Sequence, residues 1–305
     1  MADPDRTLSV LPARRRMETP ADGAMRLHAP AKINLDLHVA PRGADGFHPI
    51  DSLVAKVTLY DEIALTPRDD GRMTLAVDGA DCGPDERNLA YRAAARLQAR
   101  ADAAGGADIR LTKRIPPGSG LGGGSSDAAA VLEGLNALWT LGLSRAALAE
   151  LGSALGSDVP LFLGGPASRI TGRGERVEPI ALGEFLVILI LPSLQCATGE
   201  VYRAFDDAPR ATTRAVAPAT LAETRPSQWR GTLSNDLAPA AEGVCPELER
   251  LRTALSARVG RPVHVSGSGA ALFVLCDDAN EARTVLDALP DDIAARSRLV
   301  RRNPW

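Results

Sequence analysis

One glycine-rich stretch, residues 116–139, constrains the fold more than any other part of the chain. It begins Pro-Pro-Gly-Ser-Gly-Leu-Gly-Gly-Gly-Ser-Ser-Asp and continues as an alanine-rich apolar run that ends at Trp139. Ser125, Ser126 and Asp127 are residue types that commonly cap a helix start. In the run that follows, apolar residues recur at the three- and four-residue spacing of an amphipathic helix. These residues are Ala128, Val131, Leu132, Leu135, Leu138 and Trp139. The pattern predicts a glycine loop that leads directly into a helix capped at 125–127.

A loop of this kind presents backbone N–H groups and the positive end of a helix dipole at one place, which favours phosphate binding. A flexible linker is the alternative, but a linker needs no periodic helix behind it. Residues 118–123 also match the dinucleotide-binding pattern G-x-G-x-x-G. In a dinucleotide-binding loop the glycines follow a strand directly, and an acidic residue occurs about 20 residues later. Here Pro116 and Pro117 separate the glycines from the predicted strand Asp108–Thr112, and residues 140–143 contain no acidic residue. The P-loop pattern G-x-x-x-x-G-K-[ST] occurs nowhere, so any bound triphosphate needs a lysine from elsewhere in the chain.

Lysine is rare in this chain, which makes its positions informative. Only Lys32, Lys56 and Lys113 occur among the 35 basic residues. Arginine is a poor substitute where a compact point charge must lie beside a phosphate. Lys32 shares the polar face of a predicted strand, Met25–Val39, with Asn34, and a solvated strand face would explain both residues equally well. Lys113 lies near the end of the predicted strand that begins at Asp108, whose segment continues to Ile115 and enters the glycine loop, whereas chance retention explains Lys56.

Two turn-rich segments carry further candidate residues. The loop Arg42–His48 ends in Phe47 and His48. Phe47 could stack on a flat ring that His48 hydrogen-bonds. Alternatively, Phe47 could be a core residue beneath the loop, with His48 exposed. Asp158 lies in a turn bracketed by glycine and proline. An aspartate in such a turn is usually a cap, and the alternative is a carboxylate held in a cleft.

Composition is typical of a soluble globular enzyme. The chain has 305 residues, 45% hydrophobic residues and a net charge of −3, so we expect two domains and no general attraction to nucleic acid or anionic membranes. Four cysteines far apart in sequence, at positions 82, 196, 245 and 276, predict free thiols in a reducing cytosol. The longest apolar run, Phe185–Leu191, is too short to span a bilayer and is interpreted as a buried strand.

Strand and helix patterns alternate without strict βαβ repetition, which predicts an α+β fold. We predict a strand over 52–66 with Met73–Val77 as its hairpin partner, a helix over 89–101 and a short helix over 144–155. Further helices are predicted over 248–258 and 279–289, and two strands joined by a Gly-Ser-Gly turn over 263–275. The proposed divisions are a disordered tail at 1–24, an N-terminal domain at 25–164 and a C-terminal domain at 165–305.

Three segments together resemble the motifs of the GHMP small-molecule kinases. They are Pro-Ala-Lys-Ile-Asn at 30–34, the glycine loop with its serines at 116–127, and Val-Ser-Gly-Ser-Gly-Ala at 265–270. The resemblance covers about residues 25–300 and implies an N-terminal domain like domain 2 of ribosomal protein S5 and a ferredoxin-like C-terminal domain. Two further segments are most similar to motifs of one branch of these kinases: Asp-Gly-Phe-His at 45–48 and Gly-Ser-Asp-Val-Pro at 156–160. That branch phosphorylates the C2 hydroxyl of a cytidine diphosphate sugar alcohol in isoprenoid biosynthesis. Another kinase of the superfamily, of homoserine or mevalonate type, and a non-catalytic ligand sensor on the same fold are the alternatives.

The resemblance implies a role for each matching residue. Lys32 and Asp158 are the implied catalytic pair, with Asp158 as the base for the acceptor hydroxyl. ATP phosphates are expected on Pro116, Pro117, Gly118, Ser119, Gly120, Leu121, Gly122, Gly123, Gly124, Ser125 and Ser126, and adenine near Asn88 and Lys113. The acceptor substrate is expected at Asn34, Phe47, His48, Thr198, Gly267 and Gly269. The implied cofactors are ATP and Mg²⁺, for which a hydroxyl of Ser125 or Ser126 is a candidate ligand and no carboxylate ligand is evident. The partner is a small molecule, and the enzyme is expected in the cytoplasm as a monomer or weak homodimer.

The chain also departs from the family pattern at particular positions. Phe47 stands where the family usually has tyrosine, so stacking is retained but a hydroxyl is lost. Ser157 replaces the usual alanine before Asp158, which we expect to be harmless. The stretch 197–199 follows the family's proline-containing turn only loosely, and the tail at 1–24 has no family counterpart.

Overall fold

The computed structural model describes residues 10–14, 16–18, 24–80, 85–101, 105–207, 221 and 224–305. Its strands are β1 (Met17–Glu18), β2 (Met25–Val39), β3 (Ile50–Arg68), β4 (Met73–Gly79), β5 (Gly106–Lys113), β6 (Ala167–Gly172), β7 (Arg176–Pro179), β8 (Leu186–Ile190), β9 (His264–Val265), β10 (Leu272–Cys276) and β11 (Ser297–Arg301). Its helices are α1 (Leu89–Ala101), α2 (Gly123–Leu138), α3 (Arg145–Ser153), α4 (Val159–Leu163), α5 (Thr198–Asp207), α6 (Ala238–Val244), α7 (Pro246–Val259), α8 (Ala279–Ala288) and α9 (Asp291–Ala295). Short 3₁₀ turns occur at Asp85–Arg87 and Pro226–Gln228.

The first sheet is built around the long strand β3. Its order is β1-β2-β3-β5-β4, and within the described residues β6 and β7 bring it to seven strands. β2 lies along one side of β3, while β5 and β6 share the other side at opposite ends of the strand. Because β6 and β7 lie beyond Gly165, this sheet continues past the predicted domain boundary.

The second sheet has the order β11-β8-β10-β9, and all its pairs are antiparallel. Alternate residues of β8 point to opposite faces of this sheet, as the two-residue period of a strand requires. Val187 and Leu189 pack towards the first sheet, whereas Ile188 and Ile190 pack towards the outer helices. Both faces are therefore buried, which explains why the sequence of β8 is continuously apolar.

The elements form four layers, with helices on the outside and two sheets inside. Helices α1 to α4 cover the outer face of the first sheet, and α5 to α9 cover the outer face of the second. Between the sheets lies a shared core, in which Ile33 and Val57 of the first sheet pack with Leu189 and Phe273 of the second. The predicted α+β fold, with the domains of the GHMP kinases, is confirmed.

Two local predictions are wrong. Met73–Gly79 does not form a hairpin with the preceding strand, because β5 takes the place beside β3 and β4 pairs with β5 in parallel. Helix α2 is not capped by Ser125, Ser126 or Asp127, because it begins two residues earlier, at Gly123, and Gly122 occupies the N-cap position without a side-chain cap. Within the described part of the tail, Met17 and Glu18 pair with β2.

The N-terminal tail is also held to the body by side chains. Arg16 donates to Glu133 Oε2 (2.6 Å) and to the carbonyl of Phe162 (2.6 Å). Cys196, Cys245 and Cys276 are free and buried, in agreement with the prediction of free thiols, while Cys82 lies outside the described residues.

Candidate active site

A cavity of about 890 Å³ opens between the two halves of the molecule. Its walls are the glycine loop (residues 116–126), the middle of β2, the turn between β6 and β7, helix α5 and the segment 267–268. It is lined by these predicted residues: Lys32, Asn34, Phe47, His48, Asn88, Lys113, Pro116, Pro117, Gly118, Ser119, Gly120, Gly122, Gly123, Gly124, Ser125, Asp158, Thr198 and Gly267. Leu121, Ser126 and Gly269 are buried and do not line it.

The glycine loop brings backbone amides that lack helical partners to the wall of the cavity. Gly118, Gly120 and Gly122 have φ values of 68°, 78° and 71°, in the left-handed region that glycine adopts without strain. The hydrogen-bond ladder of α2 begins where Ser126 N donates to Gly122 O (2.9 Å), so the amides of Gly123, Gly124 and Ser125 precede it. Amides at a helix start lack helical partners and carry the positive end of the dipole, which suits them to bind an anion.

Lys32 and Asp158 converge beside this loop although they are far apart in sequence. Lys32 Nζ lies 3.9 Å from Asp158 Oδ2 and donates to Asn34 Oδ1 at 2.5 Å. Lys32 is buried, and this burial lowers its pKa below the usual range despite the opposing pull of Asp158. The alternative of a solvated strand face is therefore wrong for Lys32 and Asn34.

Local backbone geometry holds both members of the pair. Lys32 N donates to Leu121 O (2.9 Å), which fixes β2 against the glycine loop. Asp158 directly precedes α4, and its side chain makes no capping bond to that helix. The carboxylate is about one-third exposed, so a substrate in the cavity can reach it.

Asn34 is fixed by a chain of hydrogen bonds through β3. Its amide Nδ2 donates to Ser52 Oγ (2.8 Å), and that hydroxyl donates to the carbonyl of Asp36 (2.5 Å). Asn34 therefore presents its carbonyl oxygen to Lys32 in a fixed orientation.

Lys113 is held in a buried cluster with two carboxylates. Its Nζ contacts Asp61 Oδ2 and lies 2.7 Å from Asp127 Oδ2. Burial lowers the pKa of Lys113, but Asp127 and Asp61 outweigh that effect and the net shift is upward. Burial and the neighbouring Asp61 raise the pKa of Asp127 to about 8, since one ammonium faces two carboxylates. The cluster ties β3, β5 and α2 together directly beneath the glycine loop.

His48 lies in an aromatic corner at the other end of the cavity. Its Nδ1 lies 3.0 Å from the carbonyl oxygen of Ala40, and its Nε2 lies 3.3 Å from Asp206 Oδ1. The ring of Tyr202 is 5.3 Å from that of His48. Phe47 is half exposed rather than a core residue.

Sequence reasoning missed Tyr202, Asp206 and Arg173, which also line the cavity. Tyr202 lies four residues after Thr198 on α5, a spacing that puts two side chains on one helix face, and this could have indicated it. Nothing in the sequence indicated Arg173, because its position depends on how β6 and β7 pair with the first sheet.

The second half of the chain closes directly over the glycine loop. Ser266 Oγ donates to Gly120 O (3.2 Å), and Ala271 N donates to Ser119 O (3.0 Å). A Cβ on Gly267 would lie 3.3 Å from Lys32 Nζ and 3.1 Å from Asn34 Oδ1. A side chain here would be tight against both groups, and the left-handed φ of 57° at Gly267 also favours glycine.

The described residues contain no group of three or more His, Cys, Asp or Glu side chains arranged to hold a metal ion. Ser125 lines the cavity, whereas Ser126 Oγ is buried below it. None of the helices that the structure describes is long and apolar enough to cross a membrane.

Residues 88–165 match the N-terminal domain of the GHMP kinases, and residues 221–295 match the C-terminal domain. A 4-diphosphocytidyl-2-C-methyl-D-erythritol kinase from Pelotomaculum thermopropionicum is 38% identical, over 84% of this chain and 91% of that protein. The enzyme of the same name from Neisseria meningitidis serogroup B is 37% identical, over 89% of this chain and 92% of its own. The chain belongs to this family of GHMP kinases.

Solved structures agree with this assignment. A crystal structure of 4-(cytidine 5'-diphospho)-2C-methyl-D-erythritol kinase superposes with a TM-score of 0.70 and is 36% identical, over 92% of this kinase and all of that chain. A homoserine kinase from Cytophaga hutchinsonii has a TM-score of 0.69 at 18% identity, over 92% of this kinase and 95% of that chain, and shows the shared fold alone. The protein is an ATP-dependent small-molecule kinase.

Proposed function

We propose that this kinase transfers the γ-phosphoryl group of ATP to the C2 hydroxyl of 4-diphosphocytidyl-2-C-methyl-D-erythritol, giving the 2-phosphate and ADP in isoprenoid biosynthesis. The observation that carries the proposal is the 3.9 Å contact between Lys32 and Asp158 beside the glycine loop. Phosphoryl transfer needs positioning, charge neutralisation and a base at the acceptor hydroxyl. These residues can supply all three.

In the proposed reaction, the oxygen of the C2 hydroxyl attacks the γ-phosphorus while Asp158 accepts the proton of that hydroxyl. The bond from that phosphorus to the β–γ bridging oxygen breaks, and ADP leaves with the electron pair. Lys32 stabilises the negative charge that builds up on the hydroxyl oxygen and the transferring group. Asn34 keeps the ammonium in place because its amide is fixed through Ser52.

The two ends of the cavity divide the substrates. We assign the ATP phosphates to the amides of the glycine loop and the adenosine end to the side of Asn88. Lys113 supports the loop from below, since Asp61 and Asp127 already engage its ammonium. The cytosine end of the acceptor goes to Phe47, His48 and Tyr202, with Thr198 and Gly267 nearer to the reacting centre.

Mg²⁺ fits this site as a partner of the nucleotide rather than as a resident metal. The described residues offer no carboxylate cluster for a metal, so its ligands would be the phosphates, with Ser125 Oγ as the candidate protein ligand. The ion would neutralise phosphate charge when bound.

The test is an ADP-release assay with purified protein, ATP, Mg²⁺ and the cytidine diphosphate substrate. We expect turnover by the wild type, a product phosphorylated at C2 by ³¹P NMR, and a loss of roughly 10²–10⁴ in kcat for Asp158→Asn. The variant should still bind ATP and melt near the wild-type temperature. Folded wild-type protein that releases no ADP would remove the proposal.

Substrate competition separates the alternatives. Inhibition by CDP is expected here, whereas a kinase of homoserine or mevalonate type would be indifferent to cytidine compounds and would turn over its own acceptor. A ligand sensor would bind ATP without releasing ADP on any acceptor.

The remaining expectations belong to the same proposal. The kinase would act in the cytoplasm on small molecules, as a monomer or weak homodimer. Sedimentation of the purified protein tests the oligomeric state. The proposed division of the chain at about residue 164 follows the matched N-terminal kinase domain, which ends at residue 165.

A further inference from the structure

The cavity rim carries an exposed phenyl ring with a guanidinium on one of its faces. Phe47 is 52% exposed, which is unusual for a large apolar side chain. The Cζ atom of Arg173 lies 4.2 Å from the centre of its ring. This distance is within the range of a cation–π contact.

Asp45 holds both partners of this stack. Its carboxylate Oδ1 accepts the backbone N–H of Phe47 (3.0 Å), and its Oδ2 accepts a hydrogen bond from Arg173 Nη2. One aspartate therefore fixes the backbone below the ring and the cation that covers it.

The turn that carries Arg173 lies against the residue that precedes the proposed catalytic base. Gly172 and Gly174 have φ values of 74° and 106°, which shape the tight turn between β6 and β7. A Cβ on Gly174 would lie 3.3 Å from the carbonyl oxygen of Ser157, the residue before Asp158. The stack is therefore carried by a turn that packs beside Asp158.

We propose that Arg173 is a positioning residue of the acceptor subsite. With Asp45, it holds the ring of Phe47 as a platform, and the uncovered face of that ring stacks on the pyrimidine base of the acceptor. A half-exposed side chain that is ordered before binding loses less conformational entropy when the ligand arrives. This inference rests on the proposed function.

A direct contact between Arg173 and the diphosphate of the acceptor is the competing explanation. The ion pair with Asp45 opposes it, because that carboxylate already balances the guanidinium charge. The two explanations differ in which part of the ligand loses a favourable interaction when Arg173 is replaced. A platform acts on the base, whereas a charge contact acts on the phosphates.

Arg173→Leu is the test variant, and Arg176→Leu is its control. Arg176 lies in the same hairpin, is 76% exposed and pairs with Glu175. For Arg173→Leu we expect the KM for the acceptor to rise about two- to fivefold, the range of an exposed cation–π contact, while kcat and the KM for ATP stay unchanged. Arg176→Leu should match the wild type.

Inhibition constants of cytidine and CDP then identify the part of the ligand concerned. The platform predicts that Arg173→Leu weakens both inhibitors by the same factor, and Asp45→Asn should act in the same direction. Weakening of CDP alone would assign Arg173 to the phosphates and overturn the inference, as would two unchanged constants. Wild-type protein without turnover would instead count against the proposed function.

Discussion

All three lysines of the chain are buried, and each ammonium meets different partners. Lys32 faces Asn34 and Asp158 in the cavity, and Lys113 faces two carboxylates below the glycine loop. Lys56 Nζ donates to the carbonyls of Phe162 (3.1 Å) and Gly164 (2.9 Å), at the C-terminal end of α4. A lysine near a helix C-terminus can hydrogen-bond the last carbonyls, so Lys56 anchors the helix that follows Asp158. These contacts favour a structural role for Lys56 over chance retention.

Lys32→Met removes the cavity ammonium while keeping its apolar stem. We expect kcat to fall by roughly 10²–10³, because a preorganised charge at the transferring group is lost. Lys32→Arg should be nearly as inactive, since a planar guanidinium is a poor substitute for a compact ammonium beside a phosphate. Steady-state kinetics with ATP and the acceptor measure both variants, and near-normal turnover by Lys32→Met would contradict the assigned role.

Lys56 should make stability depend on pH. Burial is the main cause that lowers its pKa to about 7, and nearby Arg16 adds to the shift. Lysine in the unfolded chain has a pKa of about 10.4, so between about pH 7 and 10.4 the unfolded state binds more protons than the folded state. The free energy of unfolding therefore rises with pH in this window, by at most roughly 1.4 kcal/mol per unit from this residue.

Urea unfolding at pH 7 and pH 9.5 measures this contribution. The wild type should gain stability relative to Lys56→Met as pH rises, because methionine does not titrate. Arg250→Met, on the exposed face of α7, is the control and should follow the wild type. An equal pH slope for Lys56→Met and the wild type would show that Lys56 does not titrate in this window.

At the scale of elements, the glycine loop shows what can and cannot be predicted from sequence. The loop, helix α2 and strand β2 are predictable because their signals are local: glycine density, three- and four-residue spacing and alternation. The start of α2 was misplaced because serine and aspartate resemble caps, whereas Gly122 in a left-handed conformation begins the helix. The predicted pairing of β4 is also wrong, because distant residues decide which strand lies beside β3.

Gly122→Ala tests how far the loop depends on close packing. A Cβ at this position would lie 2.8 Å from Phe162 Cζ and 3.1 Å from Lys32 Cγ. Left-handed backbone costs a non-glycine residue roughly 1–2 kcal/mol, and the clash adds to it. We expect lower thermal stability together with a higher KM for ATP and a lower kcat.

Gly118→Ala is the matched control for that variant. Its φ is also left-handed, at 68°, but a Cβ there meets nothing within 4 Å. The backbone strain is therefore shared and the clash is not. Equal kinetic effects for the two variants would mean that strain alone, rather than displacement of Lys32, disturbs the site.

At the scale of the whole molecule, the two halves share one core. Residues of both sheets interleave between them, and Trp229 is buried in the same cluster. The sequence indicated two domains, and the two matched kinase domains agree with that. It could not indicate how tightly they pack, because alternating apolar residues do not tell which surface they will face. Here the inner faces of the two sheets cover each other, with Lys32 and Asp158 at one edge of the contact.

A shared core predicts that the halves unfold together. Leu248→Ala opens a cavity in the outer helical layer of the second half, where Leu248 is fully buried, and should lower the free energy of unfolding by about 2–5 kcal/mol.

Trp139 lies at the end of α2, in the helical layer on the opposite side of the molecule. In a Trp229→Phe, Trp305→Phe background, Trp139 is the only tryptophan and reports on the first half. We expect Leu248→Ala to shift the urea midpoint of Trp139 fluorescence and of far-ultraviolet circular dichroism by the same amount. A shifted dichroism curve with an unmoved fluorescence midpoint would mean that the halves are independent, and the cavity between them would then be free to open without unfolding.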